Sequence, residues 1–349
     1  MKLSGIDCQI PSNKIINEDI IELVKYHSTS HYQGNISELE DWVRRFLNIT
    51  GIKSRFWRSS KEKPIDLIKV ATERALNMSG LRGNEIDMLI YSSIDRGFIE
   101  PANASFICKA IGLEKTRCFD IVDACMGWGS AVQTANAFLH SNPDINSIMI
   151  VNAEFPMDQV GSVLPNNFKI INLEELQWKS PSFTLGEGVS VCIFENNNSP
   201  SCKFEFIEDA RYAELCTIAL LNFKKFIFAE NGKTIDPKIQ FSAFGTELLK
   251  NGMDSAVEVF NNLLKQLNYI PKIIFPHSVS LKVIQDAVLN ANITSKIYST
   301  FPELGNLATA SIPSSITKAL LNNSLEKGDK CVGWIASAGM KFSAFEIKI

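Results

Sequence analysis

No apolar run in this sequence approaches the roughly 18 residues that a membrane helix needs. The amino terminus reads Met1-Lys2-Leu3-Ser4-Gly5-Ile6-Asp7 and lacks the apolar core of a secretory signal. There is no basic excess either: a net charge of −3 leaves nothing to hold a phosphate backbone, so no nucleic-acid partner is expected. The chain has no Cys-x-x-Cys pair, no His-Glu-x-x-His, no glycine loop that would cradle phosphates and no Gly-x-Ser-x-Gly elbow. Its eight cysteines are scattered, and several sit in apolar surroundings, such as Cys192 in Val189-Ser190-Val191-Cys192-Ile193 and Cys331 before Val332. That pattern fits buried free thiols in a reducing compartment better than disulfides. Triplets such as Asn48-Ile49-Thr50 then carry no glycosylation meaning. A cytoplasmic protein with no membrane partner is expected.

What is present is a large core. The chain has 349 residues, 45% of them hydrophobic and 21% charged, enough for two ordinary domains or one duplicated fold. Its periodicity favours the second. Residues 65–78 have a helical pattern (Ile65, Ile68, Ala71, Ala75, Met78), and residues 86–91 follow as a strand. Residues 257–267 repeat the helix, and residues 271–275 run as a short strand into Pro276-His277. After Cys125 come a helix over 129–139 and a strand over 145–151; after Asn306 come a helix over 314–321 and a strand over 330–336. Helix, strand, reactive loop, helix, strand is therefore written twice. Short buried strands alternating with helices imply α/β layers. Two stacked halves would give helix, sheet, helix, sheet, helix. Residues 1–182 are expected to form the half with the cysteine. Residues 183–349 are expected to complete its sheet and then form the half with the histidine and asparagine. The polar stretch 27–33, the Asn- and Pro-rich stretch 157–182 and a turn over 229–237 are expected as surface loops or caps near a substrate entrance.

Only four histidines are available for chemistry. His27 and His31 lie in a polar stretch and read as surface groups. His140 ends a helix, where a cation is favourable without any function. His277 leaves a buried strand at its carboxyl end, the place where open α/β sheets bind ligands. Cys125, in Val122-Asp123-Ala124-Cys125-Met126-Gly127-Trp128-Gly129-Ser130, sits between a strand and a helix of small residues. A helix amino terminus beside the thiol is expected to lower its pKa and favour the thiolate. Asn306, in Leu304-Gly305-Asn306-Leu307-Ala308, leads into a second small-residue helix and offers an amide donor. Oxyanion donors are expected from the backbone N–H of Cys125 and from the turn Ala336-Ser337-Ala338-Gly339-Met340, taken as Gly339.

Asp-Ala-Cys, then Pro-His, then Gly-Asn before a small-residue helix, then a glycine-containing terminal turn, resembles the thiolase superfamily. Within it the chain resembles β-ketoacyl-acyl-carrier-protein synthase III nearly end to end. Glu40-Asp41-Trp42, Thr50-Gly51-Ile52-Lys53-Ser54-Arg55, Gly186-Glu187-Gly188 and Gly245-Thr246-Glu247-Leu248-Leu249-Lys250 are similar to further segments of that family. The resemblance implies a five-layered αβαβα fold, a homodimer and a Cys-His-Asn triad of Cys125, His277 and Asn306. It makes Trp42 a candidate for substrate binding.

Arg96-Gly97-Phe98-Ile99-Glu100-Pro101 is similar to a loop of the olefin-pathway head-to-head condensing enzymes and the bacterial alkyl-α-pyrone synthases. In those relatives the matching glutamate serves as a base in the partner subunit's active site, which makes Glu100 a candidate base, against a solvated loop carboxylate. Arg117 is a candidate substrate contact in the pyrone subgroup, against a plain surface arginine. There are departures. Pro276-His277-Ser278-Val279-Ser280 stands where chain-initiating synthases read Pro-His-Gln-Ala-Asn, and Ser337-Ala338-Gly339 replaces a triple glycine.

The implied activity is acyl loading on Cys125 followed by Claisen condensation with a β-ketoacyl or malonyl thioester, giving a secondary metabolite such as an α-pyrone. The thioesters are expected on coenzyme A or a carrier protein, and no metal or redox cofactor is expected. The alternatives are chain initiation, acyl transfer to an alcohol or amine without a carbon–carbon bond, and a non-catalytic partner subunit, which would not need the triad. A papain-type hydrolase is disfavoured by the duplicated pattern.

Overall fold

The computed structural model describes residues 1–157, 163, 165–197, 200–220, 223 and 241–349. Two five-stranded sheets dominate it. The first is built from β1 (Lys2–Gln9), β4 (Met88–Ser92), β5 (Arg117–Ile121), β6 (Ser147–Glu154) and β7 (Gly188–Glu195), in the order β1-β7-β6-β4-β5. The second uses β8 (Phe204–Glu208), β11 (Ile273–Pro276), β12 (Lys296–Ile297), β13 (Lys330–Ser337) and β14 (Lys341–Lys348), in the order β8-β14-β13-β11-β12 from the matching edge. The pairings also match. Each sheet has two antiparallel contacts from its outer strand inward and then two parallel ones. The duplication read in the sequence is thus repeated strand for strand.

Alternation along the strands separates the layers. Met88 and Ile90 of β4 face the interior between the sheets, whereas Leu89 and Tyr91 face outward. Two central helices, α5 (Gly127–Ser141) and α10 (Ser311–Leu321), fill that interior with Trp128, Val132, Ile312 and Ile316, against Phe275, Ile335 and Phe345 of the second sheet. Helices α3 (Pro64–Ser79) and α4 (Asn103–Ala110) cover the outer face of the first sheet. Helices α7 (Gly245–Gln266) and α8 (Leu281–Asn290) cover that of the second. The result is the five-layered αβαβα fold. Helices apolar nearly all round are what a central layer requires, and α5 and α10 are buried along most of their length.

A cap lies beside these layers. It contains α1 (Asn17–Ser28), α2 (Ile36–Thr50), the hairpin of β2 (Asn13–Ile16) with β3 (Ser54–Trp57), the short helices α6 (Leu176–Lys179) and α9 (Phe301–Leu304), and the pair β9 (Cys216–Ile218) and β10 (Phe241–Ala243). Among the described residues no helix is long and apolar enough to cross a membrane.

One expectation needs correction. The helix read over 257–267 begins at Gly245. Its buried stripe runs Gly252, Ala256, Val259, Phe260, Leu263, and the first members are too small to register as apolar periodicity. A Cβ on Gly252 would approach Phe342 Cζ to 2.8 Å, so this side of the helix must stay small. Residues 29–33 form a mostly exposed turn after α1, at the edge of the cap, in line with the expected surface loop or cap. His27 and Ser28 close α1, buried Ser28 accepts from the Ile170 N–H at 3.0 Å, and the Gln33 N–H donates to Ile171 at 2.9 Å. The described part of 157–182 belongs to the cap, the second of the two expected forms, with Val163, Phe168, Ile170 and Leu176 buried together against α1 and α2. The turn expected over 229–237 lies outside the described residues.

Candidate active site

Strand β5 ends short of Asp123, whose carboxylate accepts from Ser130 Oγ at 2.6 Å and pairs with Lys341 Nζ at 2.7 Å. The strand end is thereby tied to α5 and to β14. The chain then turns through Ala124 in the left-handed region (φ 46°) into one 3-10 turn, Ala124–Met126, that presents Cys125. The Met126 N–H donates to Ser337 Oγ at 3.0 Å and fixes this turn to the end of β13. Helix α5 opens on Gly127, where a Cβ would meet Ser92 Oγ at 2.6 Å, so no side chain fits.

The second half supplies the other two groups. His277 follows β11 directly, and its N–H donates to the Trp334 carbonyl at 2.8 Å. Its ring is buried, Nδ1 has no hydrogen-bond partner among the described residues, and burial pulls the pKa down to about 4. The imidazole is therefore neutral. Asn306 follows Gly305, whose φ of 75° and a Thr184 carbonyl 2.6 Å from any Cβ both require glycine. Asn306 N–H donates to Thr184 at 2.8 Å, its carbonyl accepts from Gly186 N–H at 3.0 Å, and its Oδ1 accepts from Ala308 N–H at 2.9 Å. The side-chain oxygen is committed, which leaves the NH₂ to donate.

Cys125, His277 and Asn306 all line one cavity of about 700 Å³. Its walls are largely apolar: Trp42, Phe46 and Ile49 come from one face of α2, Leu248 and Met253 from α7, and Phe342 from β14. Trp42 is in the wall as expected and stacks on Phe46 with centroids 5.4 Å apart. The described part of 157–182 also reaches it, through Leu173, Leu176 and Pro181.

The remaining candidates are placed elsewhere. Glu100 is exposed in the loop before α4 and is not in the cavity wall of its own chain. Arg117 is exposed at the start of β5, its guanidinium 5.2 Å from the Phe138 ring centroid, and is also outside the wall. Gly339 lies in the β13–β14 turn with φ 78°; its neighbours Ala338 and Met340 line the cavity and Gly339 does not. The thiol expectation is reversed as well. Burial, then the charges of Cys216 and Glu154, push the Cys125 thiol up rather than down. Burial is the largest of these causes.

Two cavity residues escaped sequence reasoning. Glu154 ends β6, and it is held well above the usual carboxylate range by burial and then by the Asp95 charge. A carboxylate in Val151-Asn152-Ala153-Glu154-Phe155, at the carboxyl end of an apolar strand, was its signal. Cys216, on β9, had none; burial pushes its thiol up to about 12. Glu187, by contrast, is a bracket. It accepts from Arg58 N–H at 2.5 Å and Met157 N–H at 2.9 Å, and burial raises it to about 7. Among the described residues no cluster of His, Cys, Asp and Glu is placed to hold a metal ion.

Residues 271–349, which carry His277, Asn306 and the β13–β14 turn, match the family described as 3-oxoacyl-(acyl-carrier-protein) synthase III C terminal. Over 330 residues the chain is 23% identical to the β-ketoacyl-(acyl-carrier-protein) synthase III of Neisseria meningitidis, covering 94% of this chain and 92% of that protein. It is 22% identical over 349 residues to that of Clostridium beijerinckii, covering 99% and 98%. The chain is thus similar to synthase III along nearly its whole length, and its residues 271–349 match that family. Solved structures show the same fold for this synthase III-like chain. Synthase III of Aquifex aeolicus superposes with a TM-score of 0.79 at 19% identity, covering 100% of this chain and 99% of that one. OleA of Xanthomonas campestris gives 0.83 at 19% identity, covering 100% and 98%. OleA has also been crystallised with lauric acid and lauroyl-CoA bound.

Proposed function

We propose that this condensing enzyme takes an acyl group onto Cys125 and joins it to a second acyl thioester. The observation that carries the reading is the meeting of Cys125, His277 and Asn306, from opposite halves, in one largely apolar cavity of about 700 Å³. A cavity of that size and lining suits an alkyl chain, in keeping with the lauroyl-CoA held by OleA.

In the first step Cys125 Sγ attacks the thioester carbonyl, the pantetheine thiol leaves with the cysteine's proton, and an acyl-cysteine remains. In the second, a donor thioester becomes an enolate, by loss of CO₂ from a carboxylated donor or by removal of an α-proton. The neutral His277 and the NH₂ of Asn306 donate to the enolate oxygen. A neutral imidazole is suited to this, because it donates without an added proton. The enolate carbon attacks the acyl-cysteine carbonyl, whose oxyanion rests on the N–H of Cys125 and on the β13–β14 turn. Collapse breaks the C–S bond and regenerates Cys125. Two keto-bearing chains joined in this way supply a product that can cyclise to a pyrone.

The enzyme acts as a homodimer in this reading, and its thioesters are carried on coenzyme A or a carrier protein. Chain initiation is the second reading, favoured by the full-length likeness to proteins named synthase III. Intact-protein mass after incubation with short and long acyl thioesters tests both. Long-chain loading and a product whose carbons come from both chains support the proposal. Loading of short acyl groups alone supports initiation. No loading, or a product with no new carbon–carbon bond, overturns both.

A further inference from the structure

Glu154 is only 1% exposed and faces the same cavity as Cys125. Its Oε1 accepts the Ile94 N–H at 3.2 Å and its Oε2 the Asp95 N–H at 3.5 Å, both from the segment after β4. From the other half of the molecule the Thr309 hydroxyl donates to Oε1. Thr309 lies just beyond Asn306, in the single turn Ala308–Ala310 that leads into α10. One carboxyl therefore joins a strand end of the first half to the turn that follows Asn306. Thr309 also packs against the turn of Cys125, since a Cβ on Gly127 would lie 3.1 Å from Thr309 Cγ2.

We propose that Glu154 is a positioning residue for the condensation: through Thr309 it clamps the Asn306 turn to the first half, and its carboxyl sets the charge against which the Cys125 thiol ionises. This rests on the reading of Cys125 as the acyl acceptor.

The groups facing Glu154 are Asp95 from the segment after β4, Tyr91 from β4, Cys125 from the turn before α5 and Thr309 from the turn before α10. Glu187 faces Asp95, and Cys216 faces Cys125. Arg96, which faces Tyr91, is paired with Asp120 at 3.7 Å. Burial and the Asp95 charge favour the protonated form of Glu154, against the hydrogen bonds from Thr309, Ile94 N–H and Asp95 N–H, which favour the ionised one. While Glu154 keeps its proton, ionising Cys125 places one negative charge in the cavity. Once Glu154 ionises, the thiolate would be the second, and the low-dielectric walls oppose it.

Two variants separate the roles. Glu154→Gln keeps an oxygen to accept from Thr309 and removes the ionisable group. Thr309→Val removes the clamp and keeps the carboxyl. The rate of Cys125 alkylation by iodoacetamide is followed by peptide mass from about pH 6 to about pH 10. The Gln variant's curve is expected at lower pH by about one unit, or about tenfold faster alkylation below the midpoint. The Val variant's curve is expected to move to lower pH by less than the Gln variant's, because loss of the Thr309 hydrogen bond raises Glu154 further, while its condensation kcat falls about tenfold or more with acyl loading retained. A Gln curve that overlays wild type, or a Val enzyme whose condensation stays within about twofold, overturns the proposal. Should Glu154→Gln not fold, Glu154→Asp takes its place. It is expected to keep the wild-type alkylation curve and lose condensation, and full condensation by this variant overturns the clamp. If wild type takes up no acyl group, the functional reading fails, while the alkylation curves still decide the charge on Glu154.

Discussion

Ala124 and Ala308 hold the same left-handed backbone, φ 46° and φ 44°, each as the first residue of the single 3-10 turn that opens a central helix. Cys125 follows the first and Asn306 precedes the second by two residues. The strain of a non-glycine residue in this region, about 1–2 kcal/mol, is therefore placed symmetrically at the two ends that meet in the cavity. Ala124→Gly and Ala308→Gly are expected to hold or raise stability by about 1 kcal/mol, because glycine adopts this backbone freely. Ala124→Val should lower it, and acyl loading with it. Urea midpoints of the three variants check this.

Removal of the thiol gives a second outcome. Cys125→Ser is expected to fold with an unchanged melting transition and to retain no acyl mass after incubation with thioesters. Pre-treatment of wild type with a thiol-alkylating reagent should give the same loss. An acyl mass on the variant that alkylation does not block would place the acceptor elsewhere.

The pH dependence of stability follows from His277. Its folded-state pKa is about 4, below the 6.5 of the unfolded chain. The unfolded state therefore takes up the proton first as pH falls. The contribution of neutral His277 is fully present above pH 6.5 and is lost between pH 6.5 and about pH 4, by about 3 kcal/mol in all. Glu154 works in the opposite sense. Its folded pKa is raised, so its contribution is present below the unfolded value of 4.5 and is lost as pH rises through the folded one. Chemical denaturation of His277→Gln should show a flatter stability curve below pH 6.5, and Glu154→Gln a gain on the alkaline side. Parallel curves for wild type and His277→Gln would show that His277 is not buried neutral.

His277 and Asn306 were legible in the sequence because short-range signals marked them: Pro276-His277 after an apolar strand, and Gly305-Asn306 before a small-residue helix. The doubled order of elements was legible for the same reason, since periodicity within each half survives in the chain. What was hidden depends on packing between distant segments. Gly252 is too small to register in an apolar stripe until Phe342 is laid against it. The stretch around Phe168 and Ile170 reads as an Asn- and Pro-rich loop until α1 and α2 close over it. The Cys125 thiol was assigned the wrong direction because helix polarity is a local feature, while the apolar cavity is assembled from both halves.

Glu100 leads to the last prediction. It is exposed, it stands outside the cavity of its own chain, and its neighbours Phe98 and Ile99 are apolar residues left 48% and 86% exposed. Phe98 stacks on Phe106, itself 43% exposed, so the loop and α4 present a shared apolar surface. If a second copy covers that surface, as the proposed homodimer requires, Glu100 enters a low-dielectric setting and acts on the partner's acyl-cysteine. Proton removal needs such a base, whereas decarboxylation does not. Glu100→Gln should then load acyl groups on Cys125 as wild type does and lose condensation with a non-carboxylated donor. A malonyl-type donor should restore product. Action across the interface has its own signature. Neither Glu100→Gln nor Cys125→Ser should condense non-carboxylated chains alone. Unfolded and refolded together in equal amounts, they should recover about a quarter of wild-type activity, because half of the dimers then hold one complete site. Recovery of nothing from the mixture, with both variants folded and dimeric, would confine Glu100 to its own subunit, and full activity of Glu100→Gln alone would make it a solvated loop residue.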